Sequence, residues 1–276
     1  MTASFAEVPA PGKLNLFLHV LGRRADGYHE LQTVFRLVDR ADRIRIASRA
    51  DGELHFKGPF GDDNLCLRAA RLLKQQTSSR LGADIELEKV LPVGGGMGGG
   101  SSDAATVLLA LNRLWKLRLE RSELLDLGAR LGADVPFFIY GRTALGEGIG
   151  EHLTALDVPA AWYLVITPQV AVSTKEIFAR ALTGESKRLK IPPFFPGRGQ
   201  NDLEHVVTER YPEVAATLAW LKERAAQARM TGSGACVFAE FATETEARAI
   251  QSQMPRGMEG FVAQGLDRHP LYDWAE

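Results

Sequence analysis

A two-part α+β fold is predicted for this 276-residue chain, on three observations. Alternating apolar residues dominate the first sixty positions, helical stripes and short strands take turns after them, and the mixed pattern starts afresh beyond residue 158. In the first half, Leu14, Leu16, Leu18 and Val20 mark a strand from Leu14 to Leu21, and a polar loop from Arg23 to Tyr28 follows with an Asp26-Gly27 turn signal. Leu31 to Val38, Arg43 to Ala47 and Leu54 to Lys57 read as further strands. Leu65, Ala69, Leu72 and Leu73 place a helix over Asn64 to Gln76, and Ala83 to Val90 alternates again. Ser101 to Trp115 carries one apolar stripe behind three good capping residues, and Ser122 opens a helix over Glu123 to Leu131. In the second half the spacing predicts a strand at Trp162 to Thr167, a helix at Thr174 to Leu182 and a Pro- and Gly-rich loop from Ser186 to Gln200. Helices at Glu213 to Ala228 and Glu244 to Gln253 then flank a strand at Ala235 to Phe241. The expected division is 1–158 and 159–276.

Composition narrows the partners. Net charge is −1 and no basic stripe is visible, so nucleic acid is not expected as a partner, and any nucleotide must be gripped by local groups. Cys66 and Cys236 each sit in apolar sequence and read as small buried hydrophobes. No cysteine pair has zinc-ligand spacing, and no metal site is assigned. The first eleven residues lack the basic start and apolar run of a signal peptide, and no stretch reaches the length needed to span a bilayer, so the expected location is the cytoplasm, away from membranes.

The strongest local signal is Pro92-Val93-Gly94-Gly95-Gly96-Met97-Gly98-Gly99-Gly100-Ser101-Ser102, set between a strand and a capped helix. Glycines let consecutive N–H groups turn into one concavity, and the helix behind adds its free amides and dipole. Such a site suits a polyphosphate, and Ser101 and Ser102 can add hydroxyl contacts to phosphate or magnesium. The P-loop pattern is absent, since no lysine precedes either serine. Gly94, Gly96 and Gly99 match the dinucleotide spacing, but the acidic partners at that distance, Glu120 and Glu123, fall at a helix start and not a strand end. Protein-kinase motifs are missing.

Phosphoryl transfer also needs a group to take the nucleophile's proton. Asp134 precedes the apolar Val135-Pro136-Phe137-Phe138, so it should be partly buried and partnered, and Lys13 at the start of the first strand can be that partner. On spacing alone, a structural role for both is the commoner outcome.

Four blocks change that balance by resemblance. Pro92 to Ser102 is similar to the second motif of the galactokinase, homoserine kinase, mevalonate kinase and phosphomevalonate kinase (GHMP) superfamily. Pro11-Gly12-Lys13-Leu14-Asn15-Leu16, with Asp26-Gly27-Tyr28-His29-Glu30-Leu31, resembles its bacterial 4-diphosphocytidyl-2-C-methyl-D-erythritol kinases. Leu131 to Phe138 and Met230-Thr231-Gly232-Ser233-Gly234-Ala235 resemble the third and last blocks, and Asn201-Asp202-Leu203-Glu204 also fits, so the likeness covers nearly the whole chain. It implies a two-domain GHMP-kinase-like fold with its active site in the interdomain cleft. The implied reaction is phosphorylation by ATP, with Mg²⁺, of the 2-hydroxyl of a methylerythritol unit carried on a cytidine diphosphate. The same resemblance implies that Asp134 is the catalytic base, Lys13 its paired lysine, Asn15 and Thr174 substrate contacts, and Tyr28, His29 and Phe178 the cytidine-binding residues. The glycine run would hold ATP. A relative acting on mevalonate or a sugar alcohol would have no reason to carry Tyr28-His29, and a non-catalytic nucleotide binder no reason to keep both Lys13 and Asp134.

Overall fold

The computed structural model describes residues 5–181 and 199–275; Leu182 and the Ser186 to Arg198 part of the expected loop lie outside the described residues. Element order is β1 (Ala6–Arg23), β2 (His29–Arg49), β3 (Leu54–Lys57), α1 (Leu65–Thr77), β4 (Gly82–Glu88), α2 (Gly99–Leu114), α3 (Arg121–Ala129), α4 (Val135–Tyr140), β5 (Ala144–Gly148) and β6 (His152–Ala155). There follow β7 (Trp162–Thr167), α5 (Thr174–Arg180), α6 (Glu204–Arg210), α7 (Pro212–Lys222), β8 (Arg229–Met230), β9 (Val237–Phe241), α8 (Glu244–Gln251) and β10 (Glu259–Leu266).

β1 and β2 form one long antiparallel hairpin, from Ala6 opposite Ile46 to Arg23 opposite His29. The expected gap between strands at Leu31–Val38 and Arg43–Ala47 does not exist. Asp39, Arg40 and Asp42 look like a loop in sequence, but Asp39 and Arg40 are exposed on a continuous strand, and buried Asp42 accepts from the Val90 and Leu91 amides at 2.6 and 2.8 Å. Register shifts between Pro11 and Lys13 and between Asn15 and Phe17 bend β1. Lys13 and Asn15 lie between these two bulges, two residues apart and therefore on one face.

Other boundaries move for local reasons. α2 starts two residues earlier than its serines suggest, because Gly98 takes the cap position at φ +70°. α3 is capped by Glu120 in a reciprocal box with Glu123, not by Ser122. Asn64 caps α1, its side chain accepting from the Leu67 amide at 2.9 Å, instead of lying inside the helix. α7 stops at Lys222, short of the expected Ala228. β5, β6, β8, β10, α4 and α6 carry no expectation from the sequence.

Among the described residues the strands form one ten-stranded sheet, with β3-β4-β2-β10-β7-β9-β8 as its main path, β1 and β5 added on β2, and β6 on β5. β10 is the joint. Its Glu259–Gln264 stretch pairs with β7, and Gly265 and Leu266 pair with Val38 and Leu37 of β2. Apolar residues gather into three clusters. One packs α1, α2, α3 and α4 on the first-half strands, and one packs the second-half helices on β7, β8 and β9. The third lies at the junction, where Leu14, Leu16, Val34 and Val38 meet Tyr163, Val165, Phe238 and Ala263. A shared dry core at the junction holds the walls of the cleft above it in fixed relation.

Candidate active site

A cleft of about 1020 Å³ opens where the first and second halves face each other. Its floor is the glycine run. Gly94, Gly96 and Gly98 stand at φ +70°, +75° and +70°, so the chain alternates through the left-handed region and then enters α2 directly. That geometry turns main-chain amides and a helix amino end toward one space, as phosphate binding requires.

The turn is braced from the second half. Ala235 and Cys236 donate their amides to the carbonyls of Gly94 and Gly95, each at 3.2 Å, and Lys13 donates its own amide to the Met97 carbonyl at 3.0 Å. A Cβ at Gly96 would lie 2.3 Å from the Thr231 carbonyl oxygen, so the two glycine loops touch backbone to backbone. Ser101 lines the cleft. Ser102 does not: it is fully buried, and its hydroxyl donates to the Pro11 carbonyl at 2.6 Å. Where a phosphate contact was expected of the Ser102 hydroxyl, this structure shows it making a bond that ties α2 to β1. Successive helical residues point about 100° apart, so the two adjacent serines meet different surroundings.

Lys13 is 3% exposed. Its ammonium donates to Asn15 Oδ1 at 2.5 Å, stands 3.4 Å from Asp134 Oδ2, and lies 5.4 Å from the centre of the Phe35 ring. Asn15 donates onward to the Thr33 hydroxyl at 2.9 Å, and its amide is held by Thr231 Oγ1 at 3.0 Å. Asp134 sits just before α4, makes no capping bond with its side chain, and keeps a side chain 32% exposed to the cleft. The lysine is fixed by burial and hydrogen bonds, while the carboxylate it neutralises remains open to a ligand. The structure brings together the lysine and aspartate that sequence spacing left undecided.

At the far end, His29 faces Phe178 with ring centres 5.5 Å apart. Burial, and secondarily the Arg23 charge, holds the imidazole below its ordinary value, so it is neutral near pH 7 and offers one donor and one acceptor. Tyr28 is 58% exposed on the rim, on a turn built by Asp26, whose carboxylate accepts from the Tyr28 amide at 3.0 Å. Phe178 therefore meets His29 directly, and Tyr28 lines the same cleft. Thr174 shares a 2.8 Å hydroxyl contact with Ser233 across the second-half wall.

One cluster at the floor carried no sequence expectation. Lys89 Nζ lies 2.5 Å from Asp42 Oδ2 and 2.8 Å from Asp103 Oδ2, directly beneath Gly99. The one available signal was its place three residues before Pro92. Burial pushes Asp103 up to about 7, with Asp42 adding to the shift and Lys89 opposing it. Burial also acts to lower Lys89, but the two carboxylates outweigh it and the ammonium stands raised. A folded-state value above the ordinary 3.8 means that the native protein holds this proton more tightly than the unfolded chain, so stability falls as pH rises from about 4 to about 7. Asp103→Asn removes the surplus carboxylate and leaves Lys89 paired with Asp42. Thermal denaturation should then show the variant equal to wild type near pH 4 and more stable at pH 8, by on the order of 2 kcal/mol. An equal offset at both values would show that Asp103 does not titrate in this window.

Residues 64–142 match the GHMP kinases N terminal domain, and 196–260 match the GHMP kinases C terminal domain. Fold and site together define the class, a GHMP kinase. The chain is 58% identical to the 4-diphosphocytidyl-2-C-methyl-D-erythritol kinase of Nitrosospira multiformis, over 97% of this chain and 94% of that one. It is 57% identical to the enzyme of the same name from Thiobacillus denitrificans, over 96% and 97%. A crystal structure of 4-(cytidine 5'-diphospho)-2C-methyl-D-erythritol kinase superposes with a TM-score of 0.83 at 35% identity, covering 94% of this chain and 99% of that one. A mevalonate kinase, at 15% identity and a TM-score of 0.70, shares the fold. The chain belongs to the 4-diphosphocytidyl-2-C-methyl-D-erythritol kinase family.

Proposed function

We propose that this chain transfers the terminal phosphoryl group of ATP to the 2-hydroxyl of 4-diphosphocytidyl-2-C-methyl-D-erythritol, giving the 2-phosphate and ADP. The observation that carries the mechanism is the Lys13–Asp134 couple, standing in the same cleft as the glycine floor. Main-chain amides from Gly94 to Gly100 bind the triphosphate and offset the charge on its oxygens. Asp134 Oδ accepts the proton of the substrate hydroxyl as that oxygen bonds to the terminal phosphorus and the bridging bond to ADP breaks. Lys13 holds the carboxylate in place.

Magnesium would arrive with the nucleotide. Among the described residues no group of three His, Cys, Asp or Glu side chains is placed to hold a metal, and Asp134 is taken by Lys13. Phosphate oxygens, water and the Ser101 hydroxyl fit a hard cation that keeps most of its waters, and its contribution would be charge neutralisation between phosphates.

His29 and Phe178 are proposed to take the cytosine ring, the phenylalanine by stacking and the neutral imidazole at the base edge, with Tyr28 closing over it from the rim. Asn15 and Thr174 are proposed to orient the methylerythritol end. The division into 1–158 and 159–276 is proposed on the same basis, with catalytic and phosphate groups in the first part and Phe178, Thr174 and the second glycine loop in the other. A substrate panel tests the assignment. ADP release should be fast with the diphosphocytidyl substrate and at least a hundredfold slower with mevalonate, homoserine or a free sugar alcohol. Comparable rates with mevalonate would remove the cytidine reading.

A further inference from the structure

Among the described residues four cations line the cleft, and their partners differ. Lys13 is matched by Asp134, and Lys89 by Asp42 and Asp103. Arg23 and Lys175 line the same cleft with no carboxylate within ion-pair distance among the described residues. The neighbouring acids are already engaged. Asp26 is bridged to Arg24 at 3.1 Å, Glu30 and Glu151 lie within 3.8 and 3.9 Å of the same arginine, and Glu176 pairs with Arg210 at 3.2 Å. Each turn thus binds its acidic residues to an adjacent arginine and leaves the cleft-lining cation unmatched.

Their placement has a pattern. Arg23 ends β1 in the first half, and Lys175 lies in the first turn of α5 in the second. Arg23 is near enough to His29 for its charge to act on the imidazole, and Lys175 is three residues from Phe178. Both therefore stand near the aromatic pair, Arg23 on a first-half element and Lys175 on a second-half one. Two uncompensated positive charges beside a stacking pair suit an anionic group attached to a flat ring.

We propose that Arg23 and Lys175 form a two-sided clamp for the diphosphate of the nucleotide-linked acceptor substrate, and so select a nucleoside diphosphate over the bare nucleoside. This rests on the cytidine reading above. The clamp would also set the distance between base and reactive hydroxyl, since the diphosphate is the spacer between them. Both side chains are exposed, so each contributes modestly, and the effect should weaken as salt rises.

Direct binding tests this without turnover. Calorimetry at low ionic strength would compare cytidine, CMP and CDP on wild type, Arg23→Gln, Lys175→Gln and the double variant. Wild type should prefer CDP over cytidine by about 25-fold, each single variant should lose about 5-fold of that preference, and the double variant should lose nearly all of it. Cytidine itself should bind all four proteins equally, which also reports that the aromatic pocket is intact. If wild type binds cytidine but favours CDP no more than twofold, or if the double variant keeps the full preference, the clamp is overturned while the cytidine site stands. If wild type binds none of the three, the cytidine reading fails and the clamp with it.

Discussion

Asp134→Asn is expected to lower kcat by about a thousandfold while leaving the fold and the affinity for ATP near wild type. General-base catalysis contributes about 10²–10⁴ in rate, and the carboxylate's charge partner is already in place beside it. The amide would keep the shape of the side chain and its contact with Lys13, which is 3.4 Å away, but could not take the proton of the attacking hydroxyl. The asparagine also sits at the same unstrained backbone position before α4, so the fold should be kept even though Lys13 loses its charge partner. Steady-state kinetics, with nucleotide binding measured separately, would check this. A variant with near wild-type turnover would remove Asp134 from the chemistry, whereas loss of ATP binding would place it with the nucleotide.

The second large effect is structural and concerns Gly96. Alanine there must adopt φ +75° and bring its methyl to 2.3 Å from the Thr231 carbonyl and 3.0 Å from that of Gly234. Neither neighbour is a flexible side chain, so the two glycine loops must part. Backbone strain and overpacking together should cost about 3 kcal/mol or more and raise the KM for ATP at least tenfold. Gly94→Ala is the control. Its φ is +70°, but nothing lies within 4 Å of the added carbon, so only the conformational cost of about 1 kcal/mol remains. Denaturant unfolding of both proteins would separate the contributions. Equal losses would show that close packing between the loops is unimportant.

The parts of this protein legible in its sequence are those whose physics is local. The glycine run announces itself because positive-φ geometry and a helix start are properties of consecutive residues. Lys13 and Asp134 were legible only through resemblance, since nothing in their own surroundings says that two residues 121 positions apart meet. Lys89, Asp42 and Asp103 were silent for the same reason: each is an ordinary charged residue until tertiary structure buries the three together. β5 was hidden because Gly146 and Gly148 are poor strand formers, and its pairing comes from β2 and β6 alongside it. β10 mixes buried and exposed positions without clean alternation, because it serves two neighbours in succession. Ser102 shows the converse: its residue type suited phosphate, but the helix turns it inward to Pro11.

The hydrogen bonds that the Ala235 and Cys236 amides donate to the Gly94 and Gly95 carbonyls have a mechanical meaning. They moor the glycine floor to the opposite half of the chain, so the two halves cannot swing apart as a jaw without first breaking that mooring. A hinge motion that parts the halves would therefore also disturb the proposed phosphate cradle, so opening and the loss of phosphate grip would be one event.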